Sequence, residues 1–322
     1  MRTVTRLMVY AACAALSPLA AAQPYPSKPI RMIAPSSPGG PVDTIARVVA
    51  QGMVETLGQQ IVIENRAGAA GQIGADLVAK SAPDGYTVLF GFSGPLAISP
   101  NVSENTPYDS LKDFAAVTQV AAAPYVLLVH PTVPAKSVKQ LIALARERPG
   151  KMNFASGGNG TGLHMAGELF NVTAGIKIVH VPYKGANPGV AALMGGEVDM
   201  MFNGLSAALP HMRANRVRPL AVGGDKRSPL VPELPTVAES GLKFNTTGWY
   251  GIVAPRNTPQ AIVAKLHAET ARALNLPAVR DQLTKLAVDG IGSTPEQFTT
   301  LIREELAMWA KVVKTAGLKG KR

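Results

Sequence analysis

Cysteine is all but missing from this chain. The single example, Cys13, lies near the N-terminus, so everything after it is without disulfides or thiolate metal sites. Aromatic residues make up only 5% of the 322 residues and are not interleaved with basic side chains. The Lys and Arg residues are scattered, with no dense run except the tail Lys319-Gly320-Lys321-Arg322. A formal charge of +11 therefore reads as a diffuse positive field that attracts small anions, and nucleic acid is not expected as a partner. Beyond the N-terminus no apolar run is long enough to cross a bilayer, and the mature chain reads as soluble. Catalytic patterns are missing too. His130, His164, His180, His211 and His267 form no H-x-x-x-H pair and no cluster at ligand spacing, so no metal is expected. There is no G-x-S-x-G elbow. Gly158-Asn159-Gly160-Thr161-Gly162 lacks both the G-K-[ST] of a P-loop and a full G-x-G-x-x-G. The chain reads as a non-enzyme without cofactors.

The first residues set the compartment. Arg2 and Arg6 precede an apolar run from Leu7 to Leu19, and Ala20-Ala21-Ala22 gives an A-x-A cleavage pattern. This is a secretory signal peptide over residues 1–22, cleaved near Ala22, so the chain reads as exported. Lipidation at Cys13 is disfavoured, because Tyr10 occupies the place where such a site usually has Leu. Removing Arg2 and Arg6 lowers the formal charge from +11 to +9.

What remains is an alternation. Strand-like runs fall at 30–34, 61–65, 87–90, 125–129, 152–155, 176–182, 198–202, 217–222 and 249–253. Helical patterns fall at 42–58, 71–80, 138–148, 163–170, 188–195 and 205–214. This predicts an α/β fold with mostly parallel sheets. Three further helices, at 259–274, 277–286 and 295–316, each begin with a proline in the first turn and form a helical C-terminal segment. In the last of them Phe298, Leu301, Ile302, Leu306, Trp309 and Val313 share a packing face, with Arg303, Glu304 and Glu305 placed off it.

Two junctions carry the functional signal. Ile30 to Ala34 breaks at Pro35-Ser36-Ser37-Pro38-Gly39-Gly40, and a helix starts near Val42. A strand ending at Ala155 breaks at Ser156-Gly157-Gly158-Asn159-Gly160-Thr161-Gly162 before a second helix. Such helix starts leave backbone N–H groups unpaired, and the macrodipole adds positive charge there, which suits an anion. Two such ends facing one cleft would hold a ligand with two anionic groups, or with one anionic and one polar end. Asp43, in the first turn, either complements the helix dipole or holds an ammonium or water beside the ligand. Direct anion contact is expected from the Gly39 and Gly40 backbone. His164 either caps its loop or lines the pocket. Lys184 is either a solvated loop lysine or a ligand contact.

With these residues in hand, the chain resembles the periplasmic receptors of tripartite tricarboxylate transporters, the Bug receptors. The motifs are Tyr25-Pro26-Ser27-Lys28-Pro29-Ile30, Pro38-Gly39-Gly40-Pro41-Val42-Asp43 with Ala46-Arg47, and Glu64-Asn65-Arg66-Ala67-Gly68-Ala69-Ala70-Gly71. They continue with Pro83-Asp84-Gly85-Tyr86-Thr87, Gly160-Thr161, His164, Ala166-Gly167-Glu168 and Val181-Pro182-Tyr183-Lys184-Gly185. Gly195-Gly196-Glu197-Val198-Asp199, Pro235-Thr236, Glu239, Gly241 and Trp249-Tyr250-Gly251 complete the set. The resemblance implies a type II periplasmic-binding-protein fold with two lobes, each a mostly parallel sheet flanked by helices. Residues 23–123 with 247–322 would form the first lobe and 124–246 the second. It implies a monomer that closes like a flytrap on a small carboxylate: a di- or tricarboxylate, an acidic amino acid or an aromatic acid. The partner would be a membrane permease or, alternatively, a sensor kinase. Carried over residue by residue, the expected ligand positions are Pro38, Gly39, Gly40, Asp43, Ser93 and Gly94 in the first lobe. In the second they are Ser156, Gly157, Thr161 and His164, with Tyr183, Lys184 and Asn203 at the rim. The chain departs from the family at Ser36, where an aromatic is usual, and this position is expected to set pocket size.

Overall fold

Two short parallel systems are joined by two long strands that run from one to the other. The computed structural model describes residues 25–320. The expected signal peptide, its cleavage point and Cys13 lie outside the described residues, as do Lys321 and Arg322. In the first system β1 (Ile30–Ala34) pairs in parallel with β2 (Ile61–Asn65) and β3 (Thr87–Phe92). Helix α1 (Pro41–Leu57) and helix α2 (Gln72–Ala79) make the crossovers. Pro41 starts α1 because its fixed φ suits a first helical position. Val42, Ile45, Ala46, Val49 and Met53 then give it a buried stripe, each larger side chain contributing about 1.5–3 kcal/mol of apolar burial. After β3 a π-helical turn (Gly94–Ile98) leads into the short helix α3 (Ser99–Val102).

The long strand β4 (Phe114–Val129) changes partners partway along. Phe114 to Pro124 pairs antiparallel with β9 (Thr247–Pro255), and Tyr125 to Val129 pairs antiparallel with β7 (Met200–Gly204). The second system follows: α4 (Val138–Glu147), β5 (Asn153–Ser156), α5 (Gly162–Ala174), β6 (Val179–Pro182), α6 (Ala186–Gly195), β7, α7 (Leu205–Arg213) and β8 (Arg218–Val222). Here β5 is parallel to both β6 and β7, and β8 pairs with β4. The sheets are thus parallel in their outer parts and antiparallel where β4 and β9 join them. A strand returning directly beside its neighbour needs no helical crossover.

The chain returns through β9 to the first system, then runs through α8 (Gln260–Asn275), α9 (Pro277–Lys285), the two-residue β10 (Asp289–Gly290) and α10 (Pro295–Ala316). A capping box at Thr294 and Gln297 starts α10. Its core serves both systems: Phe298, Ile302 and Trp309 share one apolar cluster with Leu89 of the first and Phe154 of the second. Gly251 lets the helix settle on β9, since a Cβ there would strike the Phe298 ring. Leu301 and Leu306 are only partly buried. Glu305, expected off the packing face, is on it. It lies three residues after Ile302 and four before Trp309, and its carboxylate accepts a hydrogen bond from Trp309 Nε1 at 3.2 Å. Burial pushes its pKa up to about 7.

Candidate functional site

A cleft of about 680 Å³ lies between the two systems, a volume suited to a small molecule. Its lining comes from the C-terminal ends of strands and the helix starts that follow them. On one side stand Gly39 just before α1, Val42 and Thr44 in its first turn, Phe92 at the end of β3 and Ser93 after it. On the other stand Gly162 and Leu163 of α5, Ala186 and Asn187 of α6, and Leu205 and Ser206 of α7. Four helix N-termini therefore meet in one hollow, where two were expected. Three of them have glycine N-caps that bring no capping side chain: Gly40, Gly185 and Gly204. Gly185 sits at φ 112°, a conformation that requires glycine.

The charge pattern favours an anion. Among the described residues no Asp or Glu lines the cleft, and Lys184 is its one basic side chain. Asn203 is 2% exposed, and among the described residues its Nδ2 donor has no hydrogen-bond partner. A buried, unmet donor at a cleft wall is costly unless a ligand or water satisfies it. Burial pushes the Tyr250 hydroxyl up to about 12 and raises that of Tyr125 as well, so both phenols present neutral O–H groups at the cleft. A larger hollow of about 770 Å³ lies beside the Asn159–Gly160 turn. It is lined by Asp76 and Glu104 and, among the described residues, by no cation. That sign disfavours a carboxylate there. Among the described residues no group of three His, Cys, Asp or Glu is placed to hold a metal.

The sequence matches the family model of the tripartite tricarboxylate transporter family receptor over residues 45–318. It is 37% identical to Protein BugT of Bordetella pertussis, over 98% of this chain and 99% of that protein. The chain belongs to this receptor family. Two solved structures from Rhodopseudomonas palustris are similar in fold and sequence. One is Rpa4515 with adipate, at 36% identity and a TM-score of 0.78, covering 91% of this chain and 98% of that one. The other is MatC with bound malate, at 34% identity and a TM-score of 0.76, covering 90% and 100%. The fold is accordingly the two-lobed periplasmic-binding-protein fold; the side of the cleft that carries β1–β3 is called lobe 1 below, and the side that carries β5–β8 lobe 2. Receptors of this family are periplasmic solute-binding proteins.

Within this receptor the expected residues divide into those that line the cleft and those that brace it. Gly39, Ser93, Lys184 and Asn203 line it. Asp43 does not. It is buried, and its carboxylate accepts from Gly39 N (2.9 Å), Arg47 Nε (3.1 Å) and Asn65 Nδ2 (2.9 Å). Burial alone would raise its pKa, but these hydrogen bonds and the Arg47 charge hold it below the ordinary value. The Gly39 N–H expected to meet an anion is thus already engaged, and the Gly40 N–H donates to Ser37 O at 3.3 Å. The α1 donors left by helix geometry are those of Val42 and Asp43. Asn65 also donates to Ser36 O at 3.2 Å, so Asn65 and Arg47 of the family motifs act as struts under the loop. Ser36 is half-buried beside that strut, and Pro38 is exposed at the loop tip. Gly94 packs under the Phe92 ring.

In lobe 2, Thr161 caps α5 by accepting from His164 N at 3.3 Å. His164 is 3% exposed and accepts from Gly160 N through Nδ1 at 3.1 Å. Its ring stacks on His180 at 3.9 Å. His180 Nε2 lies 2.6 Å from Ser156 Oγ, and burial, then the neighbouring His164, lower its pKa to about 3. The neutral His180 imidazole and the His164 ring stacked on it therefore shape the glycine loop from behind. Gly157 O accepts from Gly185 N at 3.2 Å, joining that loop to the α6 start. Tyr183 donates its N–H to Ser156 O at 3.2 Å and continues the same brace. Sequence reasoning missed the α6 and α7 ends and the wall Leu286–Ala287–Val288. A strand–glycine–helix signal was present at Tyr183 to Pro188 and at Asn203 to Ser206.

Proposed function

We propose that this protein captures a small carboxylate between its lobes and delivers it to the membrane permease of a tripartite tricarboxylate transporter. The observation that carries this reading is the meeting of four helix starts on a cleft that no acidic residue lines among those described, with the unmet Asn203 amide in its wall. The adipate and malate bound by the two Rhodopseudomonas palustris proteins support a carboxylate as the cargo. The protein is exported by its signal peptide and acts as a monomer. Its lobes hinge where β4 changes partners, between Pro124 and Tyr125, and at Thr246–Thr247. There Thr246 N bonds to Gly223 O while Thr247 pairs with Pro124. A ligand that touches both lobes favours the closed state, and its affinity is the surplus over the cost of closing.

A thermal-shift screen of the mature protein against mono-, di- and tricarboxylates, amino acids and sugars tests the reading. A carboxylate at a hundred times its dissociation constant stabilises by about 2.7 kcal/mol. The expected outcome is stabilisation by one or more carboxylates and none by neutral sugars. Stabilisation by a cation or a neutral sugar alone would contradict it. Uptake of the same acid should be lost when the receptor is removed and the permease kept.

A further inference from the structure

The two faces of the cleft differ in kind. Lobe 2 brings three helix starts, and α5, α6 and α7 carry no acidic residue in their first turns. It also brings Lys184 and the buried Asn203 Nδ2, which has no partner among the described residues. Lobe 1 brings one helix start, and that one is partly spent. Pro41 has no N–H, Asp43 takes the Gly39 N–H, and the Asp43 carboxylate lies in the first turn, where it offsets the helix dipole. The rest of the lobe 1 face is largely apolar: Phe92, Ala123, Leu286, Ala287 and Val288, with the Tyr250 ring. Its polar additions are the hydroxyls of Thr44, Ser93 and Tyr250.

Resting on the receptor reading above, we infer that the ligand is a carboxylate with an unsubstituted hydrocarbon body, seated with its charged group on lobe 2 and its body against the Leu286–Val288 wall of lobe 1. Hydroxylated compact acids fit this arrangement poorly. Their hydroxyls would lose water against Leu286, Ala287 and Val288 and gain no partner there. The polarity also orders the events. The open receptor takes the anion on lobe 2, and closure brings the apolar wall over the body and expels water from both.

Calorimetric titration of the mature full chain with hexanoate, benzoate, adipate, malate and citrate tests the inference. At least one of hexanoate, benzoate and adipate is expected to bind at least about tenfold tighter than malate or citrate. Malate or citrate binding as tightly as the best hydrocarbon acid overturns the inference and leaves the receptor reading standing. Binding of none of the five acids, with a sugar bound instead, overturns both. Leu286→Asn, at a half-buried position, is expected to weaken the hydrocarbon acid by about tenfold, and Val288→Thr is a second, near-isosteric probe of the same wall. Lys184→Met is expected to weaken every acid that binds by a similar factor. With unfolding temperatures unchanged, full affinity for the hydrocarbon acid in both wall variants would overturn the proposed orientation.

Discussion

Lobe 1 and lobe 2 offer the same device to the cleft, a strand that breaks at glycine into a helix, but they leave it in different states. On lobe 1 the loop is satisfied from within: Asp43 engages Gly39, Arg47 and Asn65 at once. On lobe 2 the bracing comes from behind, through Thr161, His164, His180 and Ser156, and the outer helix starts are left facing the cleft. A glycine loop followed by a helix is therefore not in itself an open anion site. Where the first acidic residue lies decides whether the donors are free.

The largest expected effect comes from the lobe 1 brace. Asp43→Ala leaves the Gly39, Arg47 and Asn65 donors without their shared acceptor, and because Arg47 is half exposed the expected cost is about 2–3 kcal/mol, read by denaturant unfolding. Because the folded pKa of Asp43 is lowered, its contribution is present above the unfolded value of about 3.9 and is lost as pH falls through the folded value. An unfolding free energy that does not change in this variant would remove the contrast between the lobes.

Glu305 serves both lobes through α10, so its effect should not distinguish them. Its folded pKa, about 7, lies above the ordinary value of 4.5. The folded state then holds the extra proton, and stability falls as pH rises from about 4.5 to about 7. Glu305→Gln keeps an acceptor for Trp309 and is expected to gain on the order of 2–3 kcal/mol at pH 8 and almost nothing at pH 4, measured by unfolding at both values. A gain of equal size at both values would contradict the buried-acid account.

Gly162 and Gly39 compare the two helix starts directly. A Cβ at Gly162 would meet the Tyr125 hydroxyl, whereas one at Gly39 would meet nothing within 4 Å. Gly162→Val is expected to weaken the bound acid by about 1–3 kcal/mol through overpacking. Gly39→Ala carries only the strain of φ 77°, about 1 kcal/mol. Equal losses of affinity in the two, by calorimetry, would make the lobes equivalent. The smallest expected effect is that of Thr161→Ala, which removes the α5 cap and should cost about 1 kcal/mol of stability, with affinity changed less than in Gly162→Val.

Much of the fold could be read ahead of the coordinates because its strands are short apolar runs. The first two match at Ile30–Ala34 and Ile61–Asn65. The first half of β4 was not legible. Phe114 to Pro124 is rich in alanine and ends in proline, which dilutes the strand signal of its β-branched Val117, Thr118 and Val120. Glu305 was misplaced because its charge suggested the solvent face, yet its spacing from Ile302 and Trp309 puts it on the buried one. The cleft was only partly legible for a related reason. Gly39, Ser93, Lys184 and Asn203 line it, but much of its chemistry belongs to backbone N–H groups of residues such as Leu163, Ala186 and Leu205, whose side chains carry no anion-binding signal. Asp43, Thr161 and His164 stand out in sequence because they hold the loops before α1 and α5 in place, not because they reach the cleft.

A crystal structure of the mature protein with its tightest-binding hydrocarbon acid tests the central claim most directly. The account predicts a carboxylate within about 2.7–3.2 Å of Asn203 Nδ2 and of N–H groups at the starts of α5, α6 or α7, with the hydrocarbon against Leu286 and Val288. A lone carboxylate seated on the start of α1, with Asn203 Nδ2 still unmet, would contradict it.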